Sequence, residues 1–293
     1  MKTSFKGTGV ALITPFKDNF QIDIEALEKV TDHVINGGIN YIVVLGTTGE
    51  SATLNAAEKE LVFNTVASAN SGRVPLVAGL GGNNTEVLAS GIQKFNHPAY
   101  SAILSVTPYY NKPNQEGLYK HYKALALATP LPIILYNVPG RTGVNMLPQT
   151  SLRLANDFPQ FFAVKEASGN IEQIMTVIRD APEGFLTISG DDALTMPLIA
   201  SGASGVISVI ANLFPKQFSD MVKSSLQKDF DHARKIHLSL LEITRLLFAD
   251  GSPGGVKTAM AHLGLCKGVV RQPLDMPAAS IQEAIIRETD RLR

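Results

Sequence analysis

Eight short apolar runs, most of them rich in β-branched residues, recur along the 293-residue chain and constrain its fold more than any other feature. They are Val10–Ile13, Tyr41–Leu45, Val74–Ala78, Ala102–Val106, Ile133–Tyr136, Phe161–Val164, Leu186–Ile188 and Val206–Val209. Each is apolar nearly throughout rather than alternating with polar residues, the pattern of parallel strands covered on both faces. Segments with helical spacing separate them. Asp23 is placed to cap a helix whose inner face is Ile24, Leu27, Val30 and Val34 and which ends at Gly37-Gly38. A second helix, near Asn55 to Asn70, is expected to bury Leu61, Val62 and Val66.

Strand–helix alternation of this length predicts an α/β fold, a closed (β/α)8 TIM barrel. A doubly wound open sheet alternates in the same way, but its nucleotide fingerprint is missing. Gly79-Leu80-Gly81-Gly82-Asn83-Asn84 begins like G-x-G-x-x-G and ends in asparagine, and Gly251 to Lys257 contains no Gly-Lys pair of the P-loop type. After Phe214 the strand signals stop. Leu238, Leu241, Ile243 and Leu247 form one apolar stripe, and Ile281, Ala284 and Ile285 another. The expected organisation is a barrel over 1–225 with a C-terminal helical extension over 226–293 packed on it.

Charge and cysteine content narrow the function. Lysine plus arginine (26) equal aspartate plus glutamate (26), so no basic surplus draws the chain to nucleic acid or an anionic membrane. Cys266 stands alone, which excludes an intramolecular disulfide and a cysteine-built zinc or iron–sulfur site. The six histidines show no H-x-x-x-H pair, and metal catalysis is not expected. The N-terminal segment MKTSFKGTGVALITPF holds only a short apolar run, and no run reaches membrane-spanning length. A soluble cytoplasmic protein is expected.

In a barrel the chemistry sits at the carboxyl ends of the strands. Those ends read Gly46-Thr47-Thr48-Gly49-Glu50-Ser51, Thr107-Pro108-Tyr109-Tyr110, Tyr136-Asn137-Val138-Pro139-Gly140-Arg141 and Lys165-Glu166-Ala167-Ser168-Gly169. Lys165 follows the buried run Phe161–Val164. An amine held among apolar groups favours its neutral, nucleophilic form and can make a Schiff base with a ketone. The alternative is a lysine just past a strand end, reaching solvent or paired with Glu166. Tyr136, Tyr110 and Thr47 end other strands and offer hydroxyls for the proton transfers of imine chemistry, although tyrosines there can equally be core residues. The Gly-Thr-Thr-Gly turn offers backbone N–H groups for a carboxylate, or is simply a tight turn. Asp191-Asp192 suit a cation or, after Gly190, a helix cap. Lys112 reads as solvated.

The Gly46-Thr47-Thr48-Gly49-Glu50 turn, the Tyr136-Asn137-Val138-Pro139-x-Arg141 segment and Val164-Lys165-Glu166, in that order, resemble the dihydrodipicolinate synthase and N-acetylneuraminate lyase superfamily. The resemblance runs from Gly9-Val10 to the C-terminal helices. Arg141, Thr47-Thr48 and Thr107-Pro108-Tyr109-Tyr110-Asn111 are similar to the dihydrodipicolinate synthase branch.

That resemblance implies condensation of pyruvate with L-aspartate-4-semialdehyde on the diaminopimelate route to lysine, without organic cofactor or catalytic metal. Lys165 would form the pyruvate imine, and Tyr136, Thr47 and Tyr110 would relay protons, Tyr110 coming from a neighbouring subunit. Thr48 would hold the pyruvate carboxylate and Arg141 the semialdehyde carboxylate. Backbone groups of Gly190 and Ile207 would line the pocket of a homotetramer, a dimer of dimers. Another pyruvate-dependent aldolase, acting on a sugar acid, would keep Lys165 and Tyr136 but lacks a reason for Arg141. A non-catalytic keto-acid-binding barrel would not need the four-residue catalytic set. The family's lysine-regulatory positions are matched by Ser51, Ala52, Asn83 and Tyr109, whereas Ala56, Lys59 and Val87 depart from the sensitive pattern. Val87 supplies no carboxylate for a cationic ligand, Lys59 adds a like charge, and Glu86 lies on a different helix face. Weak or absent inhibition by L-lysine is expected.

Overall fold

Every expected strand forms: β1 (Gly7–Ala11), β2 (Tyr41–Val44), β3 (Leu76–Gly79), β4 (Tyr100–Val106), β5 (Ile133–Asn137), β6 (Phe161–Glu166), β7 (Leu186–Ser189) and β8 (Gly205–Ser208). The computed structural model describes residues 5–293; the first four, which open the segment read above for a targeting signal, lie outside it. The strands pair in sequence order, all parallel, and β8 closes on β1 through Gly7↔Gly205 to Val10↔Ser208. The result is a (β/α)8 barrel.

The pleat sorts each strand's residues. In β5, Ile134 and Tyr136 face the barrel interior while Ile133 and Leu135 face the helices; in β6, Ala163 is interior and Val164 exterior. With a period of two, Lys165 therefore points in and Glu166 out. The amino-terminal end of the barrel is filled by Phe5, Tyr41 and Phe162, whose rings pack at 5.2–5.5 Å between centroids. Gly9 makes room for this: a Cβ there would lie 2.3 Å from the Tyr41 ring.

The crossover helices are α1 (Ile24–Asn36), α2 (Ala56–Asn70), α3 (Thr85–Lys94), α4 (Gln115–Ala128), α6 (Pro148–Asp157), α7 (Ile171–Asp180), α8 (Thr195–Ala200) and α9 (Pro215–Leu226). A short α5 (Pro139–Thr142) precedes α6. Asp23, Asn55, Asn84, Asn114 and Asn170 each accept a backbone N–H at a helix start, and Glu58 completes a capping box with Asn55. Two inner-face readings need correction. Ile24 and Leu61 are exposed, and Thr31 and Phe63 take buried places in α1 and α2.

Beyond the barrel lie α10 (Phe230–Phe248), α11 (Gly254–His262) and α12 (Ala279–Arg291). The stripe expected on α10 is also corrected: Ala233, His237, Leu240, Ile243 and Leu247 are buried, whereas Leu238 is exposed and Leu241 half-buried. Those two leucines face a cleft over the barrel mouth instead of a neighbouring helix. Among the described residues no helix is long and apolar enough to cross a membrane.

Candidate active site

Adjacent strands bring the amine and a phenol together. Tyr136 in β5 pairs in register with Lys165 in β6, and Lys165 Nζ lies 4.4 Å from the centre of the Tyr136 ring. Lys165 is only 5% exposed. Among the described residues no carboxylate pairs with it. Glu166 leaves through the outer face, where its Oε1 accepts from Asn137 Nδ2 (3.0 Å) and Gln173 Nε2 (3.2 Å). Burial raises the Glu166 pKa, and these two bonds oppose the rise. The alternative of a Lys165–Glu166 pair is thereby excluded by the pleat.

Gly190 is required beside the amine. A Cβ there would lie 3.0 Å from Lys165 Cε, 3.0 Å from the Glu166 carbonyl and 2.7 Å from Ala167 Cβ. Its N–H donates to the Glu166 carbonyl at 2.7 Å, which fixes the end of β7 against β6.

Thr47 and Thr48 begin a single turn of 3-10 helix after β2. Gly49 N–H donates to the Gly46 carbonyl, Glu50 N–H donates to the Thr47 carbonyl, and Thr14 Oγ1 donates to the Gly49 carbonyl at 2.7 Å. Thr48 is buried and Thr47 is exposed toward the mouth. Arg141 stands in α5 and has no carboxylate partner among the described residues.

Two adjoining cavities cover the mouth. The larger, about 760 Å³, is lined by Thr47, Thr48, Tyr136, Arg141, Lys165 and Gly190, with Leu238, Leu241, Glu242 and Phe248 of α10 as its outer wall. The smaller, about 520 Å³, shares Thr47, Tyr136 and Arg141 and adds Ser51, Ala52, Lys59 and Tyr109. Asn83 does not line it, but its Nδ2 donates to the Tyr109 carbonyl at 3.1 Å. Ala56 and Lys59 sit in the first turn of α2, while Glu86 and Val87 are exposed neighbours in α3.

Two further predicted residues stand apart from this wall. Ile207, near the carboxyl end of β8, is buried in the barrel interior and does not line the cavity, which Val209 does. Tyr110 has a left-handed backbone (φ 75°), is 88% exposed and lines neither cavity of its own chain. Asp191 caps the turn after β7 by accepting from Ala193 and Leu194 N–H. Asp192 Oδ2 accepts from Val209 and Ile210 N–H at 3.0 Å each; burial pushes its pKa up to about 6 against those bonds. The wall contributed by α10 was not foreseen. Its only sequence signal is an apolar pair, Leu238 and Leu241, that helical spacing assigns equally well to a core.

The dihydrodipicolinate synthetase family model matches residues 4–289. The chain belongs to this family. A 4-hydroxy-tetrahydrodipicolinate synthase of Flavobacterium psychrophilum is 53% identical over 271 residues, 92% of either chain. One from Parabacteroides distasonis is 50% identical over 285 residues, covering 97% of this chain and 96% of that one. The crystal structure of dihydrodipicolinate synthase from Aquifex aeolicus superposes with a TM-score of 0.95 at 38% identity, over 98% of both chains. Membership of the dihydrodipicolinate synthetase family thus holds for sequence and fold alike, over nearly the whole chain.

Proposed function

We propose that this chain is a Schiff-base-forming carbon–oxygen lyase that condenses pyruvate with L-aspartate-4-semialdehyde, the reaction of its 4-hydroxy-tetrahydrodipicolinate synthase relatives. The observation that carries the reading is Lys165: a buried amine without a carboxylate partner, against a tyrosine ring and open to a cavity. Lys165 Nζ adds to the ketone carbon of pyruvate, and the carbinolamine expels its oxygen as water to leave the imine. Loss of a methyl proton gives the enamine. Its carbon attacks the aldehyde, whose oxygen takes up a proton and becomes a hydroxyl. The amino group of the second substrate then adds to the imine carbon and displaces Lys165 as the free amine, closing the ring.

Tyr136 and Thr47 serve the proton transfers, and Thr48 with the turn's N–H groups holds the pyruvate carboxylate. Arg141 grips the semialdehyde carboxylate, for which its unpartnered guanidinium and position on both cavities suit it. Tyr110 completes the relay from a neighbouring subunit. Its exposure and absence from its own chain's cavities support that assignment, and with it an assembly of dimers, two of them forming a tetramer.

Borohydride added with pyruvate is expected to fix a covalent adduct on the peptide containing Lys165, and a coupled assay is expected to show turnover only with aspartate semialdehyde. Labelling of another lysine would overturn the assignment of the amine. Turnover of a sugar-acid aldehyde instead would move the chain to another pyruvate aldolase.

A further inference from the structure

Glu50 closes the Thr47-Thr48 turn and has no part in the chemistry above. Its backbone is left-handed (φ 52°), uncommon for a residue other than glycine, and its side chain is fully buried. Both carboxylate oxygens are committed. Oε1 accepts from Lys257 Nζ at 2.5 Å and Oε2 accepts from the Arg271 N–H at 2.9 Å. Lys257, in α11, is equally buried, donates to the Val269 carbonyl at 2.8 Å and lies 4.2 Å from the centre of the Phe16 ring. The Arg271 guanidinium, 4.6 Å from the same ring, is tied to the Glu58 carboxylate and to the Phe20 and Thr53 carbonyls.

Two residues 207 positions apart thus meet beneath the turn that carries the site's threonines. A buried ion pair costs desolvation that apolar side chains of similar volume avoid, so holding α11 in place is a poor reason for one. Directionality is a better one. The carboxylate is gripped from two sides while the same residue's N–H holds the Thr47 carbonyl at 3.1 Å. We infer that Glu50 and Lys257 are positioning residues whose pairing ties the C-terminal extension to the Thr47-Thr48 turn and sets where that turn meets pyruvate. The inference rests on the pyruvate reading above.

The test compares the wild type with the combined variant Glu50→Gln/Lys257→Met, which removes both charges and keeps the bulk. Thermal melting reports the fold, borohydride trapping with pyruvate alone reports imine formation, and steady-state kinetics give KM for each substrate. The double variant is expected to melt near the wild type. Its pyruvate KM is expected to rise about tenfold, with imine formation slowed to match, while the semialdehyde KM stays within about twofold. Wild-type pyruvate kinetics in a folded double variant overturn the inference. Should that variant not fold, Glu50→Asp keeps the charge and retracts the carboxylate by one methylene; an unchanged pyruvate KM there overturns it too. A wild-type protein that traps no pyruvate on Lys165 overturns the functional reading instead, so the two failures are distinct.

Discussion

At the scale of single residues, the buried amine of Lys165 depends on a neighbour that has no side chain. Gly190→Ala would set a methyl 3.0 Å from Lys165 Cε and 2.7 Å from Ala167 Cβ, and the Glu166 carbonyl blocks retreat on the remaining side. The expected result is a 10–100-fold slower borohydride-trapped imine, on the order of what a small misplacement of a reacting group costs. The overpacking should cost stability only about 1–3 kcal/mol. Rapid-quench trapping beside a thermal melt checks this, and an unchanged trapping rate would show that Lys165 tolerates displacement. Lys165 itself was legible from sequence because its surroundings are local: four apolar residues before it fix both strand and burial. Glu50 was not legible as a partner of Lys257, since nothing near Gly254-Gly255-Val256-Lys257 in the chain signals a buried charge.

At the scale of elements, α3 and α4 meet through a histidine held neutral. His121 is buried, its Nδ1 lies 2.8 Å from Thr85 Oγ1, its Nε2 has no partner among the described residues, and burial lowers its pKa to about 4. The unfolded chain binds the proton more readily, so this residue's contribution is intact above about pH 6.5 and declines as pH falls toward 4. Asp192, raised by burial to about 6, works in the opposite sense over the same range, favouring the fold as pH falls. Between pH 7 and pH 5, His121→Gln is therefore expected to lose about 2 kcal/mol less stability than the wild type, whatever the substitution costs at pH 7. Urea unfolding at both pH values measures the difference, and parallel slopes would refute the assignment. Strands were easier to read than helix faces for a physical reason. A parallel strand is covered on both sides, so its whole sequence is apolar, and an Asx cap announces where a helix starts. Which leucines of α10 face inward depends on packing against the barrel, and the cleft accepts apolar residues as readily as the core does.

At the scale of the whole molecule, the exposed Tyr110 lines neither cavity of its own chain, and the proposal above has it serve the relay of a neighbouring subunit. Tyr110→Phe and Lys165→Ala proteins, each nearly inactive, are expected to regain activity when their subunits are mixed and exchanged, because a hybrid contains one site with both native residues. Hybrids that form and stay inactive would place Tyr110 outside the relay. The ring of strands also has a consequence for how the chain is made. Gly7 finds its partner only in Gly205, so the outer edge of the first strand stays open until nearly the whole barrel has left the ribosome. At about 5–20 residues per second that wait is roughly 10–40 s. A nascent chain must carry an unpaired strand edge for all of that time, and the newborn protein is most exposed to wrong pairing while it is still unfinished.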